Sequence, residues 1–216
     1  MADPTISVAV VNSGNGSTNQ PTGQPVPLRA GGQGELIVQQ VHGKLFENAV
    51  RGKLFYGSNG ATPSVTTVAL ATTYTGLCLY NPAASGKNVI VERVGYSFLV
   101  AFPAASTIGL LAGYSAAGVV TASAAASPGA PCLIGSSYSP VGRCALSATL
   151  VGTPFLHTVL GAGLTGAITT VPQNLTWADL DGSLVLPPGA YTAIYTSTVS
   201  GAASLAASFI WAEEPI

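Results

Sequence analysis

Hydrophobic and polar positions change rhythm three times along this chain. An apolar hexad, Ile6-Ser-Val-Ala-Val-Val11, comes first. NSGNGSTNQPTGQPVPLRAGGQG follows, polar and turn-prone throughout. Such a stretch buries too little apolar surface to offset the entropy of ordering it. Residues 1–33 therefore read as an extended N-terminal arm, and 34–216 as the body. The apolar head of the arm suits strand addition to a neighbour's sheet edge, with a frayed terminus as the other reading.

Polar and apolar residues mix in the next segment, Glu35 to Arg93. Gly-Lys-Leu-Phe occurs twice, at 43–46 and 52–55, joined through Glu47-Asn48-Ala49-Val50-Arg51. Two strands or a short helical turn fit that spacing, and the repeat is too short for a solenoid. Beyond it, short apolar runs recur between Gly/Pro turns. They predict strands at Val65–Ala71, Gly76–Tyr80, Asn88–Val100, Thr107–Ala112, Ala145–Val151, Phe155–Leu160, Ser183–Leu186, Tyr191–Thr198 and Ser204–Trp211. Turn material lies at 81–86, 127–131 and 187–189. Many short strands without helical partners predict an all-β fold, a jelly-roll-like β-sandwich with its arm extended.

Composition agrees. Gly (26) and Pro (15) are plentiful, and the hydrophobic 48% is mostly Ala, Val and Leu. Charge is what stands out: only 7% of residues are charged, and Arg143 is the lone charged side chain between Val94 and Ala178. Soluble domains average about 25%. A chain this bare suits burial against other subunits or a membrane. Ser97–Val120 is long enough to span a bilayer. Pro103, Gly109, Gly113 and Gly118 interrupt it, however, and no Lys or Arg flanks orient it. Packed strands are the better reading, with no membrane partner. A net charge of −1 without a basic block argues against nucleic acid.

Candidate chemistry is thin. Cys78, Cys132 and Cys144 form no metal spacing, and the odd count argues against a disulfide framework. Small buried thiols of a reducing compartment fit better, with a Cys132–Cys144 pairing left open. Met1-Ala-Asp-Pro4 lacks a basic start, so no signal peptide is expected. His42 and His157 sit in no ligand spacing, and no GxSxG elbow accompanies them. Asp179-Leu-Asp-Gly182 begins like a calcium loop, but apolar residues follow, and a polar turn fits better. Glu213-Glu214 reads as a solvated terminus, since neighbours on a strand face opposite ways. Gly14–Gly16 and Gly31–Gly34 open no phosphate loop. The sequons at Asn15 and Asn174 are weak signals. No catalytic, cofactor or metal site is expected.

Four segments carry a resemblance: GELIVQQVHGKLFENAVRGKLFYGS (34–58), LYNPAASGKNVIVERVGYSF (79–98), DLDGSLVLPPGAYTAIYTS (179–197) and FIWAEEPI (209–216). Together they resemble structural proteins of tailed bacteriophage virions; residues 99–178 lie outside the likeness. The resemblance implies β-sandwich or jelly-roll modules that assemble as homotrimers on the virion. It implies a capsid decoration or cement protein made in the host cytoplasm, contacting the major capsid protein or other virion proteins. A tail fibre, collar or baseplate component with a receptor- or carbohydrate-binding surface is the alternative. Subunit contacts are then expected from Ile6, Val8, Val10, Val11 and Arg29 in the arm. In the bare stretch they are expected from Phe98, Phe102, Leu110 and Leu111, whose other reading is an internal core. Arg143 is either an interface cation or a loop charge left in water. For sugar stacking, the candidates are Tyr74, Tyr80, Tyr114, Tyr138 and Trp177. A hydrolase is the remaining class.

Overall fold

The computed structural model describes residues 43–59, 65, 70–115, 120–122, 127–163, 176–200 and 205–216. The chain divides into two compact units, Met1–Lys44 and Leu45–Ile216, and the account below concerns the second. The arm expected over 1–33 lies outside the described residues, as do His42, Asn15, Asn174 and residues 66–69 of the strand expected at Val65–Ala71.

A short helix, α1 (Phe46–Val50), leads into β1 (Leu54–Ser58). The repeated tetrapeptide thus folds in two ways. Phe46 of the first copy starts the helix and is exposed, whereas Leu54 and Phe55 of the second enter β1 and are buried. The strands that follow are β2 (Thr73–Tyr74), β3 (Cys78–Tyr80), β4 (Lys87–Phe98), β5 (Ser106–Tyr114), β6 (Thr121–Ala122), β7 (Ser127–Pro128) and β8 (Ala130–Pro131). Then come β9 (Arg143–Ala145), β10 (Ala148–Thr149), β11 (Phe155–Gly163), β12 (Thr176–Leu186), β13 (Ala190–Thr196) and β14 (Leu205–Pro215).

These strands form a five-stranded sheet in the order β12-β4-β14-β1-β8, a six-stranded sheet β11-β5-β13-β3-β9-β7, and a three-stranded sheet β2-β10-β6. All pairings are antiparallel. Setting the two-residue strands and β9 aside, the first long strand pairs with the last, β1 with β14. Working inward, β3 pairs with β13, β4 with β12 and β5 with β11. Two further pairings, β4–β14 and β5–β13, complete the two large sheets.

The two large sheets pack face to face. Their shared core joins Phe55, Val91, Phe98, Leu184, Phe209 and Trp211 of one sheet to Leu79, Leu110, Cys144 and Ile194 of the other. Trp211 is fully buried with Phe55 beside it, ring centroids 6.3 Å apart. The three-stranded sheet covers the opposite face of the six-stranded one, burying Tyr74, Ala148 and Leu150 against Cys78, Leu111, Tyr191 and Ala193. Hydroxyls tie this third layer down: Tyr74 donates to the Ile194 carbonyl at 2.7 Å, and Tyr191 to that of Val151 at 2.7 Å. Burial on both faces explains the unbroken apolar runs Cys78-Leu-Tyr80 and Leu110-Leu-Ala112, since a strand covered twice has no solvent face to mark with polar residues.

Several expectations change. Asp179-Leu-Asp-Gly182 is not a turn. It is a bulge inside β12, with the register to β4 shifting between Asp179 and Leu184 and Asp181 at φ 50. Residues 127–131 are not only turn material, because they supply β7 and β8. Ala145–Val151 is not one strand: it breaks at Leu146-Ser147 and passes from the six-stranded sheet to the three-stranded one. The turns at 81–86 and 187–189 form as expected, with Gly86 (φ 66) and Gly189 (φ 90) in left-handed backbone that glycine adopts without strain.

Glu213 is the largest departure. Its carboxylate, expected in solvent, is fully buried. Oε1 accepts from the backbone N–H groups of Val141 and Gly142 at 2.8 and 2.9 Å and from Trp211 Nε1 at 3.2 Å; Oε2 accepts from Lys87 Nζ at 3.1 Å. One buried anion thereby pins the 132–142 loop to β14. Glu214, on the other face of the strand, pairs with Lys53.

Candidate interaction surface

Charge is distributed unequally over the sandwich. The ion pairs Lys53–Glu214, Lys87–Glu213 and Arg93–Asp179 all lie on or beside strands of the five-stranded sheet, and Arg51–Glu47 lies on the adjoining α1. The strands of the six- and three-stranded sheets carry one charged residue, Arg143. Arg143 is exposed on β9 opposite Tyr80. Burial pushes the Tyr80 phenol up, and the nearby guanidinium partly offsets that rise. Arg143 thus sits on a strand and not in a loop, exposed on the surface of the single chain.

The other expected contact residues separate clearly. Phe98, Phe102, Leu110 and Leu111 are buried within the chain itself. Phe98 packs against Phe102 with the rings tilted at 60° and their centroids 4.6 Å apart. They belong to the core, the second of their two readings, and have no surface to offer another subunit. Ile6, Val8, Val10, Val11 and Arg29 lie outside the described residues.

Exposed apolar residues point elsewhere. Phe155 (52% exposed), Leu156 (39%) and Val159 (59%) project from β11, the outermost strand of the six-stranded sheet. The sequence predicts a strand at Phe155–Leu160 but does not mark which of its residues are exposed. A cleft of about 370 Å³ opens where β11 and β12 part. Tyr114, Phe155, His157 and Val185 line it, and the buried Leu184 and Leu186 contribute to its wall. His157 is exposed, with Nδ1 2.6 Å from the hydroxyl of its neighbour Thr158. Among the described residues, no three His, Cys, Asp or Glu side chains converge as metal ligands.

The aromatic candidates divide as well. Tyr74 and Tyr80 are buried, which removes them as sugar platforms. Tyr138 is partly exposed and packs its ring over Gly52, where any Cβ would lie 2.5 Å from the ring. Trp177, 47% exposed, spreads across Gly95 of β4, with the Arg93 guanidinium 5.5 Å from its ring centroid. Arg93 also bonds Asp179.

Cys78, Cys132 and Cys144 are free. Burial raises all three thiols, Cys144 to about 12. Thiolates are the reactive form, so these groups are poor nucleophiles at neutral pH. No helix among the described residues is long and apolar enough to cross a membrane. Comparison with family models, curated proteins and solved structures returns no match.

Proposed function

We propose that this chain is a non-enzymatic structural subunit of a tailed-phage virion, a capsid decoration or cement protein with a jelly-roll body that acts as a homotrimer. The observation that carries the reading is the uneven charge. Half of the sandwich presents strands bare of charge apart from Arg143, and its outer strand exposes Phe155, Leu156 and Val159. Subunit interfaces are depleted of charge at their centres in this way. The pairing of first strand with last, continued inward, supports the jelly-roll description, which is a folded-over hairpin rolled into two Greek keys.

The mechanism is adhesive. Each contact buries apolar surface, on the order of 800 Å² per partner for a stable interface. Many such contacts repeated by symmetry hold a shell against internal pressure. Trp177 favours a second reading, a tail or baseplate component whose exposed indole, flanked by Arg93 and Asp179, stacks on a sugar ring. Co-sedimentation of the purified chain with isolated heads and with isolated tails separates the two. Saturable binding to heads supports the cement reading, binding to tails alone supports the second, and binding to neither removes both.

A further inference from the structure

We propose that the outer face of the five-stranded sheet binds a neutral oligosaccharide, with Trp177 as the platform on which one sugar ring stacks. The inference rests on the sugar-stacking part of the second reading above and names its surface and its class of glycan. One face of this sheet belongs to the core, through Val94, Phe98, Phe209 and Trp211. The other face carries residues between these. Trp177 on β12 lies opposite Gly95 on β4, and Gly95 lies opposite Ser208 on β14. Two residues along the strands, Asp179 faces Arg93, Arg93 faces Ile210, and Ile210 faces Tyr56 on β1. Gly95 makes the floor between them. A Cβ there would lie 3.0 Å from Ser208 Oγ and 3.2 Å from Trp177 Cζ3, so its absence lets the indole and the hydroxyl meet over β4.

The groups this face leaves unused identify the ligand. Trp177 is 47% exposed even with the Arg93 guanidinium 5.5 Å from its ring centroid. Among the described residues its Nε1–H has no acceptor, and Arg93 bonds Asp179 through Nε and Oδ1 alone. The terminal guanidinium nitrogens and Asp179 Oδ2 are therefore left for a ligand. An aromatic plane edged by donors and an acceptor matches a sugar ring, whose C–H face lies on the indole while its hydroxyls donate and accept. Other ligands fit less well. Arg93 and Asp179 cancel each other, so the site has no excess positive charge for an acidic glycan or for the phosphates of single-stranded DNA. A peptide adding as a strand needs unpaired backbone, whereas β4 and β14 are paired on both sides. Tyr56, 37% exposed and three strands from Trp177, supplies a second ring. Strands lie about 4.8 Å apart, which puts the two rings roughly 15 Å from each other and calls for several linked sugars.

The test is binding of the full chain to an array of neutral glucose-, galactose- and N-acetylglucosamine-based oligosaccharides, with sialylated counterparts and single-stranded DNA alongside. We expect the natural chain to bind at least one neutral oligosaccharide, and Trp177→Ala to weaken that binding roughly tenfold or more. Arg93→Met should weaken it as well. Tyr114→Ala, which removes an exposed ring from the six-stranded sheet, should leave it unchanged. Melting curves establish that the variants are folded. Binding to no neutral glycan, a preference for sialylated glycans or DNA, or binding that survives Trp177→Ala overturns the inference. A chain that binds no glycan yet sediments with tails overturns it while keeping the tail location. One that binds neutral glycans but sediments with neither heads nor tails supports it and removes both locations. Should Trp177→Ala not fold, the fluorescence of the natural chain decides. Trp211, the other tryptophan, is buried, so a stacked sugar shifts only the emission of Trp177 to shorter wavelength, and glycan binding without that shift overturns the inference.

Discussion

Glu213 is a single residue whose environment can be predicted from to a measurable cost. Removing its carboxylate strands the N–H groups of Val141, Gly142 and Trp211 and leaves Lys87 without its partner. Each unsatisfied buried group costs about 1–3 kcal/mol, and breaking a buried ion pair about 3–5. We expect Glu213→Ala to lose about 3 kcal/mol in urea unfolding, with increased proteolysis of the 132–142 loop. Alkali reads a second set of residues. Cys144 ionises near 9 when free and near 12 in the fold, and Tyr191 moves from 10 to about 12. The folded state therefore holds protons that the unfolded chain releases. The stability these groups contribute is complete below pH 9 and is lost as pH rises toward 12. The urea midpoint should fall across that window, and Cys144→Ala should flatten the first part of the fall. A midpoint that does not move would mean the thiol is open to water.

At the scale of elements, β12 is an edge strand that carries two exposed carboxylates, Asp179 and Asp181. Replacing Asp179 and Asp181 together by Ser removes its charge and frees Arg93, and concentration-dependent light scattering should then rise above that of the natural chain. How far the elements were legible in the sequence depended on what covers them. β4 was read nearly whole, because Val89 and Val91 alternate toward the core in a strand bounded by a clear turn. β12 was read only from Ser183 onward. The Asp-Leu-Asp-Gly bulge carries the same chemistry as a turn, so the residues before it looked like a connection. β9 and β10 looked continuous because nothing local records a change of sheet. The third layer was invisible for a related reason: Leu110 and Leu111 face opposite cores, and an apolar pair does not say how many sheets surround it. The same ambiguity left open which residues of β11 are exposed. Glu213 was missed because its partners, Val141 and Gly142, are backbone donors far away in sequence.

For the whole molecule, the scarcity of charge has two separable causes. Part is internal, since the six-stranded sheet is covered on both faces by its own chain. Phe98, Phe102, Leu110 and Leu111 need no subunit to explain them. The remainder is a surface that exposes apolar residues along β11 and beside its cleft. On the proposed function, the chain binds the intact shell alone, and anything that does so stabilises that state by mass action. The most direct measurement is the temperature at which phage heads release their genome, taken with and without saturating amounts of this chain. The account predicts a higher release temperature in its presence. Heads that bind none of it and release at the same temperature would contradict the account.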